Sequence, residues 1–379
     1  MKIAGDLMGY PMVSIIWVNY NSSKFIDVVL ESLHGIINLD YPSYELIVVD
    51  NGSTDGSFEI IKNFLEKKSN LRKKIISLER NIGFTGGSNV GYRAKDPDSK
   101  YVILLNNDAI PYSSSLRYLV EFMEVNPDLG AAQGVILTLN GKFIDTAGGF
   151  MSELLTSHHL FKGHVAKALE KPVYITYADG SYSIYRIEAV KKAVGSDDRL
   201  FNDYIFAYYE DSILCLKIWN IGYKIMSIPI ITARHRRGSA FRSIKPLQLY
   251  LSLRNRVIMS EISNSRYKEI AKILIASSAL KTFLYSLVNT SIERNLGMNK
   301  EKYLKIVMKA IEDGLRLGKA RKKYEYIDIY RAPIIKIEPS IVMRSLLLKR
   351  AVAKYFKETL HKAIYAKYSM SWKTNVDTS

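Results

Sequence analysis

The sequence predicts an α/β protein, with a mostly parallel sheet flanked by helices over residues 1–240 and a basic, mainly helical region over 241–379. Three observations lead there. Short β-rich runs alternate with helical stretches from residue 12 to about 139. Those runs are continuously apolar, as in strands buried on both faces. The formal charge of +17 is also uneven: residues 1–240 hold 26 basic and 26 acidic side chains, whereas 241–379 hold 28 and 11. At 379 residues the chain has the length for two such units.

In order, "MVSIIWV" (12–18) reads as a buried strand. "SKFIDVVLESLHGI" (23–36) follows as a helix, with Phe25, Ile26, Val29, Leu30 and Leu33 at helical spacing. "YELIVVD" (44–50) is a second strand and "GSFEIIKNFLEKK" (56–68) a second helix, with Ser53 or Thr54 available as its cap. "KIISLE" (74–79) and "YVILLN" (101–106) are further strands, separated by the glycine-rich "NIGFTGGSNVGYRA". From 140 to 192 the pattern weakens into loops and short strands. "NDYIFAYYEDSILCLKIWNIGYKI" (202–225) and "IPIITARHRRGSAF" (228–241) follow, and beyond 241 only "APIIKIEP" (332–339) is β-like. The lone cysteine, Cys215, excludes an internal disulfide framework and a cysteine-built zinc site, and its apolar helical surroundings make it a small core residue. The N-terminal apolar run is strand-length, broken by Pro11, and lacks the parts of a signal peptide, so the expected location is the cytoplasm.

Ligands of such sheets bind beyond the carboxyl ends of the strands. There the sequence places Asn19-Tyr20-Asn21, Asp50-Asn51-Gly52-Ser53, Arg80-Asn81 and Asn106-Asn107-Asp108. Each has a bland reading and a chemical one. Asp50 either closes an Asx turn before the second helix or accepts from a nucleobase or ribose. The glycines of 81–91 either turn the chain or bring backbone N–H groups to phosphates, and the loop matches neither the dinucleotide fingerprint nor the P-loop. Asn106 and Asp108 are either a polar turn or two oxygen donors for one hard cation. Glu210 and Asp211 open a helical stretch, where the macrodipole favours carboxylates, or they include a general base. His235 stands among Arg234, Arg236 and Arg237, either in a solvated basic loop or as a further metal ligand beside phosphate-holding arginines. Four polar strand ends in succession read as the rim of one site.

The ordered set "VSIIWVNYNS", "YELIVVDNGSTDGS", "NIGFTGGSNVG", "YVILLNND", "ADGSYSIYR", "FAYYEDSILCLKIWNIGYKI", "RHRRGSAF" and "LRNRV" resembles the family 2 glycosyltransferases over roughly residues 12–257. It looks most like their rhamnosyltransferase and galactofuranosyltransferase-like branch. The resemblance implies a GT-A fold, a Rossmann-like nucleotide-sugar-binding domain. It implies inverting, metal-dependent transfer of a sugar from a nucleoside-diphosphate sugar to a hydroxyl of a glycan acceptor. It places Asp50, Asn51 and Ser53 on the first nucleotide-sugar segment, and Asn81, Gly87 and Asn89 on the second. Asn106 and Asp108 fall on the family's Asp-x-Asp, written Leu-Asn-x-Asp in this branch, which holds Mg²⁺ or Mn²⁺ against the donor diphosphate. Asp211 falls on the catalytic base, with Glu210 as its neighbour, and His235 on a histidine that completes the metal site in some relatives. Gly180 falls where acceptor and donor sugar pack. The family often reads Glu-Asp-x-Asp-Leu-Cys-Leu-Arg; here Ile213 replaces the second Asp and Lys217 the Arg, which leaves the local ion pairing open.

The basic C-terminal region contains an apolar stretch, 269–292, that Lys281 and several Ser/Thr interrupt short of a standard membrane span. A second stretch, 340–368, mixes apolar residues with Lys349, Arg350, Lys354, Lys357, Lys362 and Lys367. That composition suits an interfacial helix on anionic lipid, or a helical subdomain with a solvated basic face. A peripheral place on the inner face of the cell membrane, with a lipid-linked acceptor, is the expectation. A sugar-phosphate nucleotidyltransferase would need a glycine-rich basic loop near the N-terminus, and "WVNYNSSKF" is not one. A nucleic-acid-binding reading rests on charge alone, with no recognition module, so nucleic acid is not an expected partner.

Overall fold

The computed structural model describes residues 9–236, 245–287, 289–340 and 361–369. Strands β1 (Val13–Asn19), β2 (Tyr44–Asp50), β3 (Lys73–Ser77) and β4 (Tyr101–Asn106) stand where the apolar runs predict them, paired in parallel in the order β4-β1-β2-β3. The helices joining them are α1 (Ile26–Ile37), α2 (Ser57–Glu66) and α3 (Gly83–Arg93). Alternate residues of β1 explain its unbroken hydrophobicity. Val13, Ile15 and Trp17 enter one core with Leu33 of α1, while Ile16 enters the other with Tyr92 of α3. Burying both faces in this way favours apolar residues on both, and a buried exception, Ser14, is hydrogen-bonded to Glu45 Oε1 and Ser99 Oγ.

The chain continues through β5 (Ala109–Pro111), α4 (Ser115–Val125), β6 (Leu129–Thr138), β7 (Ile144–Thr146), β8 (Gly149–Ser152), β9 (Ser157–His159) and β10 (Val173–Tyr174). Then come β11 (Tyr182–Arg186), α5 (Ile187–Val194), α6 (Glu210–Asn220) and β12 (Lys224–His235). The main sheet runs β10-β12-β6-β11-β4-β1-β2-β3, with β5 added to β12 and β7 to β6. It is mixed: β11 lies antiparallel to both β4 and β6, whereas β12 is parallel to β6. All five β11 residues are buried, a pattern that marks a central strand but not its direction. Cys215 is buried in the core beneath α6.

Beyond residue 240 the described chain is helical, as expected: α7 (Lys245–Ile262), α8 (Lys268–Leu287), α9 (Ser291–Leu296), α10 (Lys300–Arg321) and α11 (His361–Tyr368), with a short β13 (Ile334–Ile335) beside β8. The expected boundary at 240 falls in a segment, 237–244, outside the described residues. Helix α10 packs tightly on α7, where a Cβ on Gly314 would come within 2.7 Å of Val257 Cβ. Helix α8 runs unbroken through Lys281 and is long and apolar enough to cross a membrane by length and composition, with only 22% of its apolar window buried. Of the basic 340–368 stretch, Lys349, Arg350, Lys354 and Lys357 lie outside the described residues. Its end, α11, docks on the α/β unit: the Tyr365 hydroxyl accepts from the Glu170 and Lys171 backbone N–H groups at 3.0 and 2.8 Å.

Candidate active site

A cavity of about 890 Å³ opens at the carboxyl ends of β1, β2 and β4. Asn51, Asn81, Asn106, Asp108, Gly180, Glu210, Asp211 and His235 line it, so eight residues singled out in the sequence meet around one space. Asp50, Ser53, Gly87 and Asn89 are not lining residues, because their polar groups or surfaces are already used in support.

At the β2 end the Asx-turn reading describes the geometry. Asp50 accepts from Asn19 Nδ2 at 2.8 Å, from Ser53 Oγ at 2.6 Å and from Ser53 N at 2.9 Å. Asn51 reaches across to the start of α3: its Nδ2 donates to Asn81 Oδ1 and to Gly83 O, while its Oδ1 accepts from Ile82 N. Gly83 has φ of +83°, and a Cβ there would lie 2.5 Å from Phe206 O, so both backbone conformation and space demand glycine. Gly87 packs its backbone against Val18. Asn89, 1% exposed, donates to Phe201 O and Asp203 Oδ1 and accepts from the N–H groups of Leu200 and Phe201. It fixes the segment leading to the acid pair.

At the β4 end, β5 brings Asp108 to the last residue of β12. His235 Nε2 lies 2.9 Å from Asp108 Oδ1, and its Nδ1 lies 2.8 Å from Asp145 Oδ2. The imidazole is thus a bridge between two carboxylates. Burial works against its charge, but hydrogen bonds to Asp108 and Asp145 outweigh this, and its pKa is pushed up to about 9. Among the described residues no three His, Cys, Asp or Glu side chains converge on one point as a ready metal cage. Asp145 sits behind the ring rather than beside Asp108. Arg236 lies over the Phe25 ring, 5.5 Å from its centroid, and Arg237 is outside the described residues.

The acid pair opens α6. Glu210 and Asp211 are both raised well above the ordinary carboxylate range, first by burial and then by neighbouring negative charge. For Glu210 the main neighbour is Asp211, and for Asp211 it is Asp179. Hydrogen bonds from Ser212 and from the Gly180 backbone partly offset the rise at Asp211, which is pushed up to about 7. Glu210 Oε2 is buried with no hydrogen-bond partner. The approach to the pair is strained: Phe206, Tyr208 and Tyr209 all have φ near +70°. Two residues of α7 hold this loop. Asn255 Nδ2 donates to the carbonyls of Ile205, Ala207 and Tyr208 at 3.1, 2.8 and 2.8 Å, and Arg254 donates to those of Tyr204 and Ile205.

Asp145, Asp179 and Asn255 were not identified by sequence reasoning. Asn255 lies in "LRNRV", which stands out as a motif but offers no role until the loop is seen. Asp145 lies in the weakly patterned 140–192 stretch and gives no local signal.

The profile of glycosyl transferase family 2 matches residues 14–193. A poly-beta-1,6-N-acetyl-D-glucosamine synthase of Staphylococcus epidermidis is 33% identical over 122 residues, 32% of this chain and 28% of that protein. An uncharacterized glycosyltransferase of Haemophilus influenzae is 36% identical over 123 residues, 32% of this chain and 35% of its own length. The chain thus spans about a third or less of these relatives. Among solved structures, S. aureus TarS 1-349 in complex with UDP-GlcNAc superposes with TM-score 0.51 at 17% identity, covering 97% of this chain and 95% of that one. GalNAc-T7 with UDP, GalNAc and Mn²⁺ gives 0.57 at 15% identity, covering 76% and 57%. The fold is GT-A. Over residues 14–193 this chain is similar to glycosyl transferase family 2.

Proposed function

We propose that this protein is an inverting, metal-dependent glycosyltransferase that moves a sugar from a nucleoside-diphosphate sugar to a hydroxyl of a glycan acceptor. The observation behind this reading is that one cavity unites a buried acid pair of raised pKa with an oxygen–nitrogen donor pair 2.9 Å apart. Asn51 and Asn81 face the nucleotide. The donor set fits a hard or borderline divalent cation: Asp108 Oδ1 and His235 Nε2 would hold it, with Asn106 on the same rim. Such an ion supplies positive charge against the leaving diphosphate. Asp145, on the other ring nitrogen, then accepts from Nδ1–H and turns Nε2 outward as a lone pair. UDP with Mn²⁺ in GalNAc-T7 and UDP-GlcNAc in TarS are ligands of the same classes.

Asp211 is the general base. Near neutral pH a carboxylate of raised pKa takes a proton from the acceptor hydroxyl more readily than an ordinary one. The hydroxyl attacks the anomeric carbon on the face away from the diphosphate, the bond to the diphosphate oxygen breaks, and the configuration inverts in one displacement. Glu210, raised further, stays protonated beside it and spares the site a second negative charge. The test is the product of a donor–acceptor pair followed by anomeric proton NMR, in wild type and Asp211→Asn. Inversion in wild type, with no transfer but retained nucleotide binding in the variant, is expected. Retention of configuration, or wild-type turnover in Asp211→Asn, would contradict it.

The C-terminal region meets anionic lipid in this reading, which suits a lipid-linked acceptor at the inner face of the membrane. Its support is the uneven charge and the row Ile273, Leu280, Leu284 and Leu287, each more than half exposed along one side of α8.

A further inference from the structure

The catalytic account leaves one wall of the cavity unused. Lys245, Gln248, Ser252 and Arg256 of α7 all line the space, at offsets of three, seven and eleven residues, so they share one helix face. None is acidic. Arg256 is the unusual member. It is largely buried, its Nη2 donates to Leu154 O at 2.8 Å, and its Nε–H is buried with no partner at all. Among the described residues no carboxylate pairs with it, and burial holds its pKa below the usual guanidinium value. A desolvated guanidinium without a counterion costs stability, and proteins keep one where a ligand supplies the anion.

We infer that this α7 face is a subsite for an anionic acceptor, with Arg256 taking a phosphate or carboxylate oxygen of the glycan and Gln248 and Ser252 its hydroxyls. The inference rests on the glycosyltransfer reading and adds the acceptor's charge class to it. The acceptor is a better source of the anion than the donor diphosphate. Arg256 is tied to Leu154 O and lies beside Tyr209, the residue next to the acid pair where the acceptor hydroxyl is placed. A guanidinium presents several N–H groups in one plane, suited to two-point contact with either oxyanion.

The test titrates full-length protein, with UDP or GDP and Mn²⁺ present, with an oligogalacturonate, a phosphomannan fragment and neutral dextran. Wild type should bind one of the charged glycans at least about tenfold more tightly than dextran, as an oxyanion on a buried arginine requires. Arg256→Gln should bring charged and neutral glycans within about threefold, Arg256→Lys should fall between, and UDP and GDP affinity should not change. Because Arg256→Gln removes an uncompensated charge, its Tm should hold or rise. Equal binding of charged and neutral glycans by wild type would overturn the inference without recourse to any variant. Loss of nucleotide affinity in Arg256→Gln would assign the residue to the donor and overturn it as well. Donor turnover is assayed separately: nucleoside diphosphate release without charge discrimination sinks this inference alone, and no release from any donor sinks the reading beneath it.

Discussion

At the scale of single residues, the proposed function rests on groups held away from their ordinary protonation. Asp211, pushed up to about 7, should give a transfer rate that rises with pH through neutrality, because only its carboxylate can accept the proton. The same shift has a stability sign. A carboxyl whose folded pKa is raised favours the protonated fold at low pH and loses that contribution as pH rises through the folded value. Asp211→Asn should therefore raise Tm more at pH 8 than at pH 5, with a gain on the order of 1–3 kcal/mol at the higher pH. A Tm difference that does not depend on pH would contradict the assignment. At the other end of the cavity, Asp145→Asn should weaken Mn²⁺ affinity by roughly 10–100-fold, through the histidine it orients rather than by direct contact. Calorimetry of the two proteins reads this directly, and unchanged affinity would remove Asp145 from the ion's support.

At the scale of elements, the loop 204–209 joins the parts that the proposed reaction needs. Thr85 N of α3 donates to Phe206 O at 3.1 Å from one side, and Asn255 of α7 grips three carbonyls from the other. Asn255→Ala takes one donor from three carbonyls, of which Ile205 O keeps Arg254, at a cost of about 1–3 kcal/mol, and releases a strained segment next to the proposed base. Turnover should fall at least about tenfold while nucleotide affinity stays near wild type; an unchanged rate would show that the loop needs no brace. The parallel strands β1 to β4 and the helices α1 and α2 were legible because their burial writes itself as apolar periodicity. Helix α3 was not, since four of its eleven residues are glycines, which disfavour an exposed helix; tertiary packing, seen at Gly83 and Gly87, overrides that preference. Strand β11 lies in the weakly patterned 140–192 stretch, and pattern alone says nothing about its direction.

At the scale of the whole molecule, the residues lining the cavity span from Val18 to Arg256, so they come from both the balanced part of the chain and the basic one. That is why motif reading found the rim yet missed its supports: strand ends are local, whereas Asp145 and Asn255 meet their partners only through tertiary contact, 90 residues away in the case of Asp145 and His235. Charge asymmetry was legible from composition, and its use is open to a direct check. The protein should pellet with anionic liposomes and not with neutral ones, and Leu280→Glu with Leu284→Glu should reduce the bound fraction severalfold. Equal failure to pellet with both lipids would leave the C-terminal helices as packing for the active site alone.

The central claim is that the cavity transfers a sugar from a nucleotide with the help of a divalent ion. The most direct measurement is nucleoside diphosphate release from a panel of nucleotide sugars, with lipid extract as acceptor, in Mn²⁺ or Mg²⁺ and then in excess chelator. Release from at least one donor, lost with the chelator and restored by added Mn²⁺, is the predicted result. Release that persists undiminished in chelator, or folded protein that releases nothing from any donor, would contradict it.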